Sequence, residues 1–158
     1  MSKDKKTGFK NIQIVNRKAT HEYSFVQQYN AGIMLTGTEV KAIRTGNANL
    51  TDAYCTFQDG ELMLRNMHIS EYSFGSYMNH ETRRVRKLLL RRAELDKLFR
   101  RVSEKGFTVV PYRIFFSDRG LIKLEIALAQ GKKSFDKRET LKERDNKREL
   151  DQLRKIKL

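Results

Sequence analysis

The stretch Gly32–Leu50, GIMLTGTEVKAIRTGNANL, decides the predicted fold of this chain. The apolar run Ile33–Leu35 predicts the end of a strand, and Thr36-Gly37 interrupts it. A short helix is predicted next, with Thr38 as its N-cap and Gly46 at its C-terminal end. A strand followed by a short helix therefore forms the centre of the predicted domain.

The predicted helix carries two cations that its packing does not need. Val40 and Ile43 are three residues apart and can share one buried face. Lys41 and Arg44 are then free to point elsewhere, and Glu39 stands in the first turn, where the helix dipole favours a carboxylate. We therefore predict that this helix presents Lys41 and Arg44 to a partner.

The whole chain is strongly basic, which indicates the kind of partner. Its 158 residues include 33 Lys and Arg against 19 Asp and Glu, a formal net charge of +14. Such an imbalance opposes compaction by self-repulsion and is typical of proteins that bind a polyanion. Nucleic acid is therefore the predicted partner. Attachment to anionic lipid is the alternative. The length of the chain predicts a single domain with a tail.

No segment of the sequence has the pattern of a membrane span or a secretory signal. No run approaches the roughly 18 consecutive apolar residues that a transmembrane helix needs, and no apolar core of a signal peptide follows the N-terminus. We therefore expect a cytoplasmic protein with no membrane partner.

The sequence contains no pattern typical of catalysis, metal binding or cofactor binding. Cys55, the single cysteine, lies in a strand-like run and fits a buried side chain. His21, His68 and His80 lack metal-ligand spacing, and no Gly-rich phosphate loop occurs. We predict no catalytic residue, no metal site and no cofactor. An RNA-processing enzyme is the alternative from another class, and it would need a convergent acid–base set.

Residues 1–10 are polar and basic with almost nothing to bury, so we predict a disordered arm. Two strands are predicted around residues 12–14 and 23–26. The connection between them is predicted as a loop, Asn16-Arg17-Lys18, which presents an amide and two cations.

Two hairpins are predicted further along the chain. Asp59-Gly60 is a strong turn signal between strands at residues 53–57 and 61–67. A second hairpin joins residues 108–116 to residues 121–128. Both hairpins have alternating apolar positions, which indicates one buried face in each.

A basic segment at residues 83–105 separates the hairpins, with ten basic residues against three acidic ones. Leu95, Leu98 and Val102 follow the spacing of an amphipathic helix that ends before Gly106. The run of three leucines before this helix fits either a buried strand end or its first turn.

Five to seven short strands with two short helices predict a small closed or nearly closed β-barrel over residues 11–130. Pro111 cannot donate a hydrogen bond to a neighbouring strand, so we expect it at a sheet edge or bulge.

The composition changes at residue 131. Residues 131–158 contain eleven Lys and Arg, six acidic residues and few large apolar ones, so this tail is predicted to be disordered in the free protein. Leu150, Leu153 and Ile156 would nevertheless line one face of a helix. The tail is therefore predicted to become helical on a partner surface.

Several motifs in order along nearly the whole chain resemble one family. They are GTEVKAIR at residues 37–44, NLTDAY at 49–54, RKLLL at 86–90 and GKKSFDKRETLKERD at 131–145. Together they resemble SmpB, the SsrA-binding protein family of bacteria. The resemblance implies a mainly β fold with short helices, an oligonucleotide-binding-type (OB-like) closed barrel.

The resemblance also implies a function. The family binds the tRNA-like domain of transfer-messenger RNA (SsrA RNA) and delivers it, with elongation factor Tu and GTP, to ribosomes stalled without a stop codon. It is an adaptor of trans-translation and not an enzyme. The resemblance places the tail near the decoding centre and in the messenger RNA channel of the small ribosomal subunit.

The residues expected to contact RNA fall into two groups. In the domain, one RNA-facing surface is predicted from Asn16, Lys18, Glu39, Lys41, Arg44, Arg86, Lys87 and Leu89. In the tail, ribosomal contacts are predicted for Gly131, Lys132, Lys133, Phe135, Asp136, Lys137 and Arg138. Helix capping for Glu39 and core packing for Leu89 are the alternative roles.

Some positions depart from the family pattern. Asn30 stands where an acidic residue is common, Thr82 where Pro is frequent, and Phe135 where Tyr or His is usual. A generic single-strand-binding barrel remains another alternative, in which exposed aromatic rings stack on bases. Aromatic residues are only 9% of the chain, and most are predicted on strands as core, which favours the adaptor.

Overall fold

The computed structural model describes residues 12–104, 106–132 and 144–151. The strands are β1 (Ile14–Val15), β2 (Tyr23–Ile33), β3 (Ala48–Asn49), β4 (Tyr54–Gln58), β5 (Glu61–Arg65), β6 (His68–Ile69), β7 (Arg86–Leu89), β8 (Phe107–Phe116) and β9 (Ile122–Gly131). The helices are α1 (Arg17–Glu22), α2 (Gly37–Arg44) and α3 (Arg92–Val102), with a 3₁₀ turn at Ser76–Met78. The fold is mainly β, as predicted.

Seven of these strands form one antiparallel sheet in the order β1-β8-β9-β2-β7-β5-β4. The long pair β2 and β9 is its centre and runs from Tyr23 opposite Gly131 to Gly32 opposite Lys123. β3 and β6 pair separately as a short ribbon beside α2. Both predicted hairpins are present, as β4–β5 and β8–β9. Asp59 and Gly60 both have positive φ, which suits a tight hairpin turn.

The prediction of a closed barrel is wrong, because the seven-stranded sheet remains open. β4 packs against β8, but among the described residues no backbone ladder joins the two strands. The free edge of β8 is instead taken by β1, with Ile14 opposite Ile114 and the Asn16 N–H donating to the Tyr112 carbonyl at 2.7 Å. Pro111 has no N–H to offer. The predicted bulge at Pro111 is confirmed by a register shift between Pro111 and Arg113.

The prediction of a loop at Asn16-Arg17-Lys18 is also wrong, because α1 begins at Arg17. The Asn16 side chain accepts a hydrogen bond from the Ala19 N–H at 3.3 Å and donates to the Pro111 carbonyl at 3.1 Å. Asn16 therefore caps the helix and fixes it to β8 at the same time.

α1 covers the second face of the long strands. Ala19 packs against Val110, Ala127 and Ala129, while Ile126 and its neighbours on the opposite face of β9 enter the main core. β9 is therefore buried on both faces, although its sequence pattern predicted only one buried face. The small alanines allow the helix to approach the sheet closely.

The predicted amphipathic helix is confirmed as α3, which buries Leu95 and Leu98. Arg86–Leu89 form β7, so Leu88 and Leu89 belong to a strand and Leu90 follows its end. Phe99 lies at the edge of this packing, with its ring 5.4 Å from that of Phe57 in an edge-to-face contact. No helix within the described ranges is long and apolar enough to cross a membrane.

Gly131, the first residue of the predicted tail, is the last residue of β9. Disorder is not confirmed for residues 144–151, which are helical and carry neither Gly nor Pro. The side chain of Arg144 donates to the Thr20 hydroxyl at 3.2 Å. The predicted N-terminal arm, residues 1–10, lies outside the described residues.

The burial pattern of α3 leads to a test of the fold. Replacing Leu98 with Ala removes a fully buried side chain, so the free energy of unfolding should fall by about 2–5 kcal/mol. The neighbouring residue Lys97 is exposed, and Lys97→Ala should change it by no more than about 0.5 kcal/mol. Urea denaturation of both variants measures the difference. Equal losses would contradict the assignment of the buried face.

Candidate nucleic-acid interface

A buried cluster of charged side chains joins α2 to the sheet. Glu39 on α2 and Arg86 on β7 are both fully buried, and Arg86 Nε donates to Glu39 Oε2. Arg84 Nη2 donates to Glu39 Oε1 at 2.6 Å, and the same oxygen accepts the Thr36 N–H at 2.9 Å. One carboxylate is therefore held by two guanidinium groups and one backbone amide.

The rest of the Arg86 guanidinium is also hydrogen-bonded. Its Nη1 donates to the Met67 carbonyl at 2.9 Å, and its Nη2 donates to the Thr82 carbonyl at 3.3 Å. A buried charge is tolerated only when it is paired and its remaining polar atoms are satisfied. Arg86 meets both conditions inside the protein, so its role in the free chain is structural.

The cluster shifts the pKa values of both partners. Burial raises the pKa of Glu39, but the hydrogen bonds from Arg84, the Thr36 amide and Arg86 outweigh burial and leave it below its ordinary value. Burial lowers the pKa of Arg86, and the hydrogen bond to Glu39 and the charge of its carboxylate act in the opposite direction. Glu39 is therefore ionised at neutral pH.

The N-terminus of α2 differs by two residues from the prediction, because Thr36 and not Thr38 is the N-cap. The carboxylate of Glu39 reaches back to the Thr36 amide, as in a capping box. Thr38 instead bonds His80: its hydroxyl lies 2.9 Å from His80 Nδ1, while His80 Nε2 lies 2.9 Å from the Ile69 carbonyl. Because a carbonyl can only accept a hydrogen bond, Nε2 of this buried ring carries the hydrogen and donates the hydrogen bond to the Ile69 carbonyl.

The other end of α2 follows the prediction. Gly46 has φ of +79°, and its N–H donates to the Ile43 carbonyl at 2.9 Å. A residue with a side chain is strained in this conformation, whereas Gly is not. α2 is thus fixed at both ends, and its exposed residues Lys41 and Arg44 have a defined position.

Arg44 lines a groove of about 320 Å³, which we call the α2 groove, between α2 and the ends of three strands. Leu89 of β7 forms part of its floor and is 48% exposed. Lys123 of β9 and Leu121 also line it. The groove is mainly apolar and includes two cations, Arg44 and Lys123, which can contact phosphates at its surface.

Of the eight domain residues predicted to contact RNA, Arg44 and Leu89 line this groove and the other six do not. Lys87 Nζ lies 3.7 Å from the Glu61 carboxylate and not in the groove. Asn16 and Lys18 line a second groove, of about 210 Å³, together with Tyr54; we call it the α1 groove. The two grooves share no lining residue. The single predicted surface is therefore divided, and RNA contact by each residue remains a prediction.

The beginning of the tail lies at the C-terminus of α1. Gly131 is the last residue of β9. The Lys132 N–H donates to the Glu22 carbonyl at 2.9 Å, and Lys132 Nζ donates to the Thr20 carbonyl at 3.0 Å. A cation is favourable at this end of the helix. The other predicted tail residues, Lys133, Phe135, Asp136, Lys137 and Arg138, lie outside the described residues.

Sequence reasoning predicts a strand end and loop over residues 68–79 but assigns no function to one feature there, the segment of residues 71–79 beside α2, which we call the aromatic loop. Phe74 is 85% and Tyr77 91% exposed. Lys41 Nζ lies 5.4 Å from the centre of the Tyr72 ring. The signal for this loop was present, because three rings in a segment without a periodic pattern belong to no predicted core face.

The described residues contain little that could perform chemistry. Within residues 12–104, 106–132 and 144–151, no three His, Cys, Asp or Glu side chains are grouped to hold a metal ion. Burial raises the pKa of the Cys55 thiol to about 12, so this thiol is protonated at neutral pH and is a poor nucleophile.

A basic, mainly β domain that presents cations from a fixed helix beside a groove has the features of a nucleic-acid-binding protein. The model of the family described as SmpB protein matches residues 13–156. The chain therefore belongs to the SmpB family, and the resemblance seen in its motifs is confirmed.

Individual relatives agree with this assignment. The chain is 55% identical over 142 residues to the SsrA-binding protein of Phocaeicola vulgatus, covering 90% of this chain and 95% of that protein. It is 52% identical over 145 residues to the SsrA-binding protein of Cytophaga hutchinsonii, covering 92% and 95%. A solved structure described as "tmRNA-SmpB: a journey to the center of the bacterial ribosome" is similar with a TM-score of 0.65 and 47% identity, covering 77% of this chain and 85% of that one.

The buried cluster predicts a pH-dependent loss of stability. Because the pKa of Glu39 is lower in the folded than in the unfolded chain, its carboxylate stabilises the fold above the ordinary value of 4.5. That contribution is lost as pH falls through the folded value. Glu39→Gln should lower the free energy of unfolding by about 3–5 kcal/mol at neutral pH. Urea denaturation should find this difference shrinking as the pH falls below 4.5.

Glu94 supplies the matched control, since its carboxylate accepts the Arg91 amide at the start of α3 in an exposed setting. Glu94→Gln should cost no more than about 1 kcal/mol, because Gln can still cap the helix. Adding Arg86→Met to Glu39→Gln should recover part of the lost stability by removing an unpaired buried charge. If Glu39→Gln were as mild as Glu94→Gln, the cluster would not hold α2.

Proposed function

We propose that this protein binds the tRNA-like domain of transfer-messenger RNA and brings it to stalled ribosomes for trans-translation. The proposal is carried by one observation: a buried ion cluster fixes α2 to the sheet, and α2 carries exposed cations. The chain that contains this helix belongs to the SmpB family. Relatives named SsrA-binding protein and a similar structure described as tmRNA-SmpB in the ribosome support it. The protein acts as an adaptor and not as an enzyme.

In this proposal the α2 groove and the exposed face of α2 meet the folded RNA. Lys41, Arg44 and Lys123 contact phosphates, and Leu89 contacts a sugar or base edge. Glu39 and Arg86 act from inside the protein, since they position the helix and have no exposed surface. A folded tRNA-like domain offers backbone and a few unpaired bases, so recognition follows RNA shape more than sequence.

The α1 groove and the tail meet the ribosome in the same proposal. Asn16 caps α1 and Lys18 lies within it, and Lys132 and the side chain of Arg144 contact the same helix at Thr20. The tail then enters the messenger RNA channel of the small subunit near the decoding centre. Elongation factor Tu and GTP complete the complex that reaches the ribosome, and the protein works in the cytoplasm.

The RNA contacts of α2 can be tested by titration at several salt concentrations. Lys41→Gln and Arg44→Gln should each weaken binding to a transcript of the tRNA-like domain. Each should also lower the slope of log K against log salt by roughly one unit, because one phosphate contact is lost. Filter binding measures both quantities.

The double variant Lys97→Gln/Arg100→Gln is the matched control, since it removes two exposed cations at the same spacing from α3. It should leave the slope nearly unchanged, whereas equal losses would mean that only net charge matters. Scrambled single-stranded RNA of equal length should compete poorly. If it competed as well as the folded transcript, the exposed rings of the aromatic loop would favour the generic single-strand-binding alternative.

The tail should be dispensable for holding the RNA but required on the ribosome. Residues 144–151 are already helical, and Leu150, Leu153 and Ile156 continue one helical face by their spacing. A charge-preserving shuffle of residues 140–158 destroys that face while keeping the charge. The shuffled protein should bind the tRNA-like domain normally and fail in a peptide-tagging assay on stalled ribosomes.

The control for this experiment keeps the order of apolar residues and exchanges only Lys for Arg within residues 140–158. This variant should retain tagging, because both the face and the charge remain. Full tagging by the shuffled tail would rule out an ordered helix and leave a non-specific electrostatic anchor.

A further inference from the structure

The aromatic loop exposes apolar rings that the fold does not use. Phe74 is 85%, Tyr77 91% and Met78 71% exposed. The Phe74 ring makes an edge-to-face contact with the Tyr72 ring, at 5.6 Å between ring centres. Exposed rings grouped in one short loop are a typical sign of a binding surface.

The loop is held in shape without help from these rings. Asn79 Oδ1 accepts the Tyr72 N–H at 2.9 Å, and Asn79 Nδ2 donates to the Tyr72 carbonyl at 2.9 Å. A Cβ at Gly75 would lie 2.7 Å from the Asn79 side chain, so only Gly fits inside this clamp. Because the loop is ordered in advance, a ligand would meet its rings at a small cost in conformational entropy.

The loop is also fixed against the cationic helix α2. The His80 ring that follows it bonds Thr38 at the start of α2. The Ser70 N–H that precedes it donates to the Asn47 carbonyl, just after α2, at 2.9 Å. Lys41 lies over the Tyr72 ring between these two attachments. The rings and the α2 cations therefore belong to one rigid surface.

We propose that Phe74 and Tyr77 form a stacking platform for unpaired bases of the RNA whose phosphates lie on Lys41 and Arg44. This proposal rests on the proposed function, since it adds a base-contacting subsite to the same RNA surface. Aromatic rings accept any base face by stacking, and adjacent cations hold the connecting phosphates. Together they recognise a loop of RNA and not a continuous duplex.

The charges around the loop fix which side the RNA backbone takes. Glu71 and Glu81, at either end of the loop, are exposed and would repel phosphates. Lys41 lies on the α2 side, so the backbone passes over α2 while the bases point toward Phe74 and Tyr77. A second copy of this chain is a poor occupant, since each copy carries a net charge of +14.

The test replaces the rings and keeps their apolar character. Phe74→Leu/Tyr77→Leu should bind a transcript of the tRNA-like domain at least about fivefold more weakly, because stacking on each base is lost. Phe74→Tyr/Tyr77→Phe keeps both rings and should bind like the wild type. Phe99→Leu replaces a half-exposed ring on α3 and should also have no effect.

Two further measurements separate stacking from charge. The leucine variant should keep the wild-type slope of log K against log salt, whereas Lys41→Gln lowers it. Binding to a blunt RNA duplex of equal length should be the same for the leucine variant and the wild type. Equal binding of the transcript by both proteins, or an equal loss on the duplex, would overturn the stacking platform.

These outcomes also distinguish the two proposals. If the wild type fails to bind the transcript at all, the proposed function fails. If the wild type binds tightly and the leucine variant binds equally well, only the stacking platform fails. Thermal unfolding and sedimentation of the variants should match the wild type, because both side chains are exposed and lie outside the core.

Discussion

The ion cluster of Glu39, Arg84 and Arg86 is the interaction on which the arrangement of this protein depends. An isolated helix as short as α2 is not stable in water. α2 persists because its carboxylate is hydrogen-bonded at the helix start and paired inside the protein. Removing Glu39 leaves the fully buried Arg86 without its ion-pair partner, so the position of α2 and the burial of Arg86 depend on each other.

Basic residues that look alike in the sequence have two different roles in this structure. Some are buried and support the fold, and others are exposed to a partner. In the motif Arg86-Lys87-Leu88-Leu89, the alternation of a strand turns Arg86 and Leu88 inward and Lys87 and Leu89 outward. The fully buried Arg86 therefore stands next to the partly exposed Lys87. Some of the basic residues that look like one RNA-binding patch in the sequence, such as Arg86, are instead buried and hold the exposed ones in place.

The limits of sequence reasoning follow from the same distinction. The hairpins, α2 and α3 were predictable because turn residues, caps and periodicity are local signals. The barrel closure was predicted wrongly, because pairing of β1 with β8 and the missing N–H of Pro111 decide the sheet edge. α1 was missed because its packing depends on Ala19 meeting Ala127 and Ala129, which have no distinctive pattern. The division of the site into two grooves depends on tertiary structure in the same way.

Strand β9 fixes the distance between the α2 groove and helix α1. Lys123 lies in the α2 groove near the start of β9, and Lys132 follows the end of the same strand at α1. The eight residue-to-residue steps of extended strand from Lys123 to Gly131 span about 26 Å. Because β9 is paired on both sides and buried on both faces, this separation is rigid. A molecule that holds one RNA at α2 can therefore present its tail to another RNA at a fixed distance, which supports the role of an adaptor over that of a single-site binder.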